Sequence, residues 1–486
     1  MSNSVTPFYT SPFMTRYASK EMSYIWSDHY KISTWRKLWC CLAQSQRDVG
    51  IDIPQKIIDK LVDNIDNIDH DSISNHEKTT KHDVVANLFA FSDLVEGSKP
   101  YIHMGATSQF VVDNQEYCAL RDSMIRILGK TAKVISSIGS FASSWKGVPV
   151  VGMTHLQTAQ PTTVGKRACM WAQDFVIAIE DMGIKTDNLK MRGIKGTTGT
   201  LYSFLEMFEG DESRLSDLEY AICDRMECKR ENLIKICGQT LPRILDASLV
   251  SSLGLAASAA YKMCGDIRLL CSRGEMIITK DTNQIGSSAM PYKNNPIAAE
   301  KVCSLSRHII SMIQEPYYTA ANQWLERSLD DSAGKRIYIP EMFLCLDEVL
   351  DTCINLFEGM IPNLDVCNNN YNDSKPLFIS EDLILEAIKK NDSDRDSMYT
   401  YISECYVNSN TNGNIDVDRL VNLISGEISS KSTVNREASM FDGIDVREFY
   451  ESRMDKDYTG MSESQTEDYT DNVISQIRDH YLVEGA

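Results

Sequence analysis

"YCALRDSMIRILGKTAKVISSIGSFASSW", residues 117 to 145, is the stretch whose reading decides the fold. Its apolar residues fall at Leu120, Met124, Ile127, Leu128, Val134, Ile135, Ile138, Phe141 and Trp145. That is one stripe with a 3.6-residue period, held for about eight turns. Gly147 and Pro149 then supply ordinary stop signals. Similar patterns recur downstream. A second helix is predicted from Thr162 to Leu189, with Val164, Ala168, Trp171, Phe175, Ile179 and Met182 on one face. A third spans Pro242 to Ile278, and its centre, Ser251 to Ala260, is nearly all small residues, which suits close helix contact. A fourth begins at Pro296, a good first-turn position, and continues past Ile313. A fifth runs from Asp331 to Phe357, with Pro340 expected to kink it.

At 1.5 Å per residue, helices of this length reach roughly 40 to 55 Å. One compact domain cannot cover them, so the extra length must pack on other helices, including those of other subunits. Sustained a/d heptads with flanking charges are lacking, which argues against a coiled coil. The expectation is an all-α chain whose elongated five-helix central domain oligomerises through its sides. Trp26 to Trp39, Pro54 to Ile65 and Lys81 to Leu94 read as shorter helices, as does the region after Pro362. The expected domains are residues 1–109, 110–362 and 363–486. No convincing strand run stands out; "VPVVGMTH" is the single short candidate.

The chain has 486 residues, 43% hydrophobic and 24% charged, an ordinary globular balance. A net charge of -19 argues against nucleic acid or an anionic membrane as the main partner. A locally basic pocket for a small anion remains compatible with it. The 14 cysteines include no CxxC, and no secretory leader precedes them, so they read as reduced thiols of a cytoplasmic protein. The most membrane-like stretch, 247 to 260, reads as too short to span a bilayer.

Chemistry is expected where polar residues interrupt the apolar period. Such islands are RY at 16–17, KHD at 81–83, HMGATS at 103–108, THLQTAQ at 154–160, KGTTGT at 195–200 with GQT at 238–240, and ERSLDDSAGKR at 326–336. Thr107 and Ser108 precede the first long helix. They are either an ordinary N-cap or hydroxyls that, with nearby N–H groups, hold a carboxylate. His155 lacks an HxH or HExxH partner, so metal ligation is not expected; it is either a structural residue or an acid. His82 beside Asp83 is either an oriented imidazole or solvated surface. Arg327, Ser332, Lys335 and Arg336 surround two acidic residues, which suits a phosphate or a surface ion-pair network.

The most specific island is "QIGSSAMPYKNNP", residues 284 to 296. "GSSAMPYKNNP" resembles the signature loop of the fumarase/aspartase superfamily. "SPFMTRYAS", "HMGATS", "TTVGKR", "RGIKGTTGT", "FEGD", "GQT", "IGSSAMPYK" and "QWLERSLDDSAGKR" resemble the adenylosuccinate lyase family of animal type, in its order, from about residue 11 to 336. The likeness is weak after about residue 365.

The resemblance implies a three-domain all-α fold whose five-helix bundles associate into a twenty-helix tetramer core. It implies elimination of fumarate from adenylosuccinate, or from the succinylated imidazole carboxamide ribotide, without cofactor or metal. On the family's motifs, the general base falls on Ser287 and the general acid on His155. Thr107, Ser108, Gln239, Lys293 and Asn295 fall on positions that hold the succinyl carboxylates. Arg16, Tyr17, Arg327, Ser332 and Arg336 fall on nucleotide and phosphate contacts. Lys81, His82, Asp83 and Lys301 match further substrate-site positions. Sites shared between subunits of a homotetramer are implied as well.

Four departures bear on affinity. Lys81 and Lys301 stand where the family has arginine, Asn294 replaces a bulkier or charged residue, and Thr158 replaces a proline. "NDSDRDSMYTYI" lacks the His-Glu pair expected in the C-terminal domain. Other members of the superfamily, argininosuccinate lyase or fumarase, are the alternative enzymes, and a non-catalytic structural protein the alternative class. Joint retention of Ser287, His155 and Lys293 favours a lyase.

Overall fold

In the computed structural model, residues 8–279, 290, 292–391, 394–411, 414–427 and 438–482 are described below. The stripe beginning at Tyr117 belongs to a helix of 37 residues, α1 (Ser108–Ser144). It starts three turns earlier than the apolar period, because Asp113, Asn114 and Gln109 are buried polar residues there. Thr107 is its N-cap in extended conformation, without a side-chain capping bond. Phe110, Met124, Ile127, Val134, Ile135 and Ile138 are fully buried along it.

Four further long helices complete the bundle: α2 (Val164–Asp187), α3 (Ile244–Ser272), α4 (Ile297–Met312) and α5 (Asp331–Glu358). Each packs on the next, and α5 returns to α1. Their shared core holds Trp171, Phe175, Ile179, Leu253, Val302, Phe343 and Leu346. At 1.5–3 kcal/mol for each large apolar side chain buried, this core is the main source of stability. The small-residue centre of α3 serves contact as expected, with Ala256, Ala257 and Ala260 fully buried. Gly165 marks another close approach. A Cβ there would sit 2.5 Å from the Ala142 carbonyl oxygen, so only glycine lets α2 leave so near the end of α1.

Several element bounds differ from expectation. The predicted fourth helix stops at Met312, and a separate helix, Gln314–Ala321, follows. Pro316 explains the break: its ring blocks the carbonyl four residues back, which is that of Met312. α5 runs through Pro340 as one helix. The third helix ends at Ser272, and Met276–Ile278, expected inside it, is instead strand β3. Its partner is Met360–Pro362 after α5. Helix α3 also contains an 18-residue window of mean hydropathy 1.4, long and apolar enough to cross a membrane by composition. Its buried face packs inside the bundle.

The main correction concerns strands. β1 (Pro149–Thr154) and β2 (Gln157–Thr163) form an antiparallel hairpin between α1 and α2. The polar island THLQTAQ is its tip and second strand. β1 lies within the short candidate VPVVGMTH; sequence reading missed β2, whose residues are mostly Thr and Gln and carry no apolar period.

Trp35, Trp39, Phe91 and Phe110 share a second core with Phe204, Phe208, Leu218 and Ile222. The segment between α2 and α3 therefore packs on the N-terminal helices. A third core gathers Ile379, Leu383, Ile402, Leu420, Ile424 and Phe449 after the bundle. The final helices return to the bundle, where Ile474 lies against Gly139.

Candidate active site

Most of the predicted site residues fall into groups at two ends of the bundle; Arg16 and Tyr17 lie along its side. The first surrounds the N-terminus of α1. Thr107 and Ser108 begin that helix. Gln239 is on the loop before α3; its N–H donates to the Glu326 carbonyl (2.9 Å) and its carbonyl accepts from Arg192 Nε (2.7 Å). Gly199 lets the KGTTGT loop press on this strand of chain. A Cβ there would lie 1.9 Å from the Cys237 carbonyl oxygen, and φ is +83°.

Arg327 donates to Asp331 Oδ1 at 2.7 Å. Ser332 and Arg336 lie one turn apart on α5, hence on one face. Arg336 reaches Asp83 at 3.0 Å, which joins KHD at 81–83 to this end. His82 Nδ1 is 3.4 Å from Asp83 Oδ1. Lys81 caps a helix in left-handed conformation (φ 55°) and is exposed. Lys335, part of the expected donor cluster, does not face this surface. It is buried against Glu116 (2.8 Å) and Asp246 (2.7 Å). Burial works against its charge, yet the two carboxylates outweigh it and raise its pKa.

His103, in the HMGATS island, is a residue that sequence reading quoted without assigning. Trp39 Nε1 donates to its Nδ1 (2.9 Å), so its proton resides on Nε2. Burial, with His82 nearby, pushes its pKa down to about 4. It is a neutral imidazole at physiological pH. Its φ of 66° bends the loop that delivers Thr107.

The second group lies at the opposite end. His155 and Leu156 are the two-residue tip of the β1–β2 hairpin, with φ of 54° and 58°. Both central residues in the left-handed region define a type I′ turn, normally filled by Asn-Gly. Placing His and Leu there costs about 1–2 kcal/mol each. Such strain concentrates at functional positions. Both side chains are exposed, so the turn presents the imidazole outward. Gln160 ties the hairpin to Glu381 at 2.5 Å.

The signature loop is rooted at this same end. Asn294 Nδ2 donates to the Ile278 carbonyl (2.7 Å) at the end of β3, which pairs with Met360–Pro362. Lys293 is exposed and Asn295 half-buried. Ser287 and Gly286 lie outside the described residues. Lys301, on the first turns of α4, is paired with Glu348 at 2.6 Å. Arg16 and Tyr17 belong to a short helical turn packed on α5, anchored where Phe13 stacks on His308 (5.7 Å) and Ser19 N–H donates to Asp347 (2.9 Å).

The two ends are far apart. α1, with 37 residues, is about 55 Å long. The hairpin base is tied to its far end through Gly165 N–H to Trp145 O (3.1 Å). A six-residue strand reaches back only about 20 Å. Thr107 and His155 of one chain are therefore at least about 25 Å apart, which exceeds what one nucleotide bridges. Among the described residues, no three His, Cys, Asp or Glu side chains converge as a metal site.

The fold of this long helical bundle is shared with solved structures. The fumarate lyase from Mesorhizobium sp. BNC1 superposes with a TM-score of 0.76 at 18% identity, covering 96% of this chain and all of that one. The 3-carboxy-cis,cis-muconate lactonizing enzyme from Pseudomonas putida gives the same TM-score and identity over 97% of this chain and 99% of that one. The lyase family model matches residues 11–311, so the class is that of the lyases built on this bundle. The adenylosuccinate lyase of Caenorhabditis briggsae is 40% identical over 359 residues, 74% of this chain and 75% of that protein. Those of Schistosoma mansoni and Saccharomyces cerevisiae are each 37% identical over 388 residues and about four-fifths of both chains. The chain belongs to the adenylosuccinate lyase family, whose members are carbon–nitrogen lyases.

Proposed function

We propose that the chain eliminates fumarate from adenylosuccinate to give AMP, and from the succinylated imidazole carboxamide ribotide, with Ser287 as general base and His155 as general acid. The proton removed lies α to a carboxylate, so its loss places a second negative charge on that group. Fixed donors must meet the charge as it grows, and Lys293, Asn295, Thr107, Ser108 and Gln239 are assigned that role. The departing nitrogen needs a proton near neutral pH, which an imidazole supplies. Serine is basic enough only when a cation and N–H groups stabilise its alkoxide away from water. A loop that closes over bound carboxylate, with Gly286 at its start and Lys293 six residues from Ser287, provides that condition.

Arg327, Ser332 and Arg336 are assigned to the nucleotide and its phosphate, Arg16 and Tyr17 with them. Lys81, His82, Asp83 and Lys301 complete the substrate contacts. The observation that supports this reading is that Arg327, Ser332 and Arg336 lie at one end of the bundle while His155 and Asn294 of the signature loop lie at the other. A single chain holds both halves, more than a nucleotide's length apart. We therefore propose a homotetramer in which each site takes its anion-binding end from one subunit and its acid from another. All 14 cysteines are free thiols, which fits a reducing, cytoplasmic setting.

The test is to incubate the purified protein with adenylosuccinate in the presence of a chelator and follow AMP and fumarate. Turnover is expected, with losses of about 10²–10⁴ in kcat for His155→Ala and Ser287→Ala. Full activity in Ser287→Ala would remove the assigned base.

A further inference from the structure

Arg327 and Gln239 come from loops 88 positions apart in sequence, yet one chain of buried charges connects them. Arg243 stands in the middle. Its Nε donates to Asp331 Oδ2 (2.7 Å) and its Nη1 to Asp113 Oδ1 (3.0 Å). Each carboxylate spends its second oxygen on the site. Asp331 Oδ1 accepts from Arg327 (2.7 Å), and Asp113 Oδ2 accepts from the Leu241 N–H (2.8 Å), two residues past Gln239. Arg192 closes the other side, donating to the Gln239 carbonyl and lying 4.0 Å from Asp113. Asp113, Arg192, Arg243 and Asp331 are each at most 5% exposed.

We propose that Asp331 is a positioning residue for the elimination: it fixes the Arg327 guanidinium toward substrate and, through Arg243 and Asp113, locks it in register with the Gln239 loop. The inference rests on Arg327 being a substrate contact. The physical reason is the fork of the guanidinium. One N–H is held by Asp331, and the remaining donors keep a fixed direction in which to meet an anion. Arg327 sits between Leu325 and Leu329, which are 97% and 74% exposed in the single chain, so apolar packing within the chain does not hold this segment. Without the carboxylate the guanidinium would sample several rotamers, and each substrate encounter would have to order it anew.

A double-mutant cycle separates positioning from folding. Asp331→Asn keeps the side chain's size and leaves Arg243 paired with Asp113, while removing the charge that faces Arg327. Asp331→Asn is expected to raise the KM for adenylosuccinate about tenfold while kcat stays within about threefold. In an Arg327→Ala background the same change is expected to add less than about twofold, since the group it acts through is gone. An undiminished effect in that background, or a wild-type KM in Asp331→Asn, overturns the positioning role alone. An Arg327→Ala variant with wild-type KM overturns the substrate assignment of Arg327, and the inference with it. If Asp331→Asn does not fold, Asp331→Glu keeps the charge, shifts the carboxylate by one methylene, and is put through the same cycle with the same criteria.

Discussion

The two ends of the bundle solve the problem of presenting polar groups in opposite ways. At the α1 N-terminus, charges are buried and paired. Arg243 lies between Asp113 and Asp331, and Lys335 between Glu116 and Asp246, so each of these six ions has a partner within 3.0 Å. At the far end, the His155 turn is exposed, strained in φ and held by few polar ties. The first arrangement fixes geometry within one chain. In the proposed tetramer, the second is the part whose surroundings another subunit would complete. The difference teaches that one chain can hold a rigid, charge-paired end and an exposed, strained one, which is the division of labour the proposed shared site would use.

The strongest challenge to this comparison is complementation. His155→Ala and Gln239→Ala, each expected to be severely impaired, are co-expressed with different tags and the mixed oligomers purified. If the ends of different chains meet, some sites contain neither change and activity returns toward the 10²–10⁴-fold that an acid contributes. If activity stays at the level of the parents, the shared site is wrong.

A second test strikes the rigid end. Asp113→Ala leaves Arg243 with one buried partner fewer and the Leu241 N–H without its acceptor. Breaking one side of such a buried pair is expected to cost about 3–5 kcal/mol, read as a lower denaturant midpoint. A hairpin-tip change such as Leu156→Gly should leave stability equal or better, because glycine relieves the left-handed strain.

The smallest effect expected is in acid. His103 titrates at about 4 in the folded chain against 6.5 when free. Between those values the unfolded chain takes up a proton that the folded one refuses, so stability is complete above pH 6.5 and falls as pH drops toward 4. Its share of that fall is up to about 3 kcal/mol. His103→Asn, which tolerates positive φ and keeps an acceptor for Trp39, should flatten the slope of melting temperature against pH in that window. An unchanged slope would show that His103 is not the group responsible.

Much of the fold was legible in sequence because long helices announce themselves by period. The stripes from Leu120 and Val164 gave two bundle helices to within a turn at one end. What the period could not show was polar structure. α1 begins at Ser108 because Asp113 and Asn114 are buried, and buried polar residues look like surface until their partners are known. Of the hairpin at Pro149–Thr163, the first strand was the one short candidate, while the polar second strand carried no period. Within the candidate site, the loops were readable as islands and by resemblance. Asp113, Arg192 and Arg243 were not, since each reads singly as an ordinary charge.

By itself, then, the sequence determined an all-helical chain of unusually long helices, the identity of its polar loops and the family to which it belongs. These follow from local periodicity and from short contiguous motifs. Only the tertiary structure decided that Lys335 turns inward, that Gln239 and Arg327 share one buried charge network, and that His155 stands at the other end from Thr107. Those outcomes depend on contacts between residues dozens to hundreds of positions apart, and a free charge in the chain carries no mark of the partner that burial will demand.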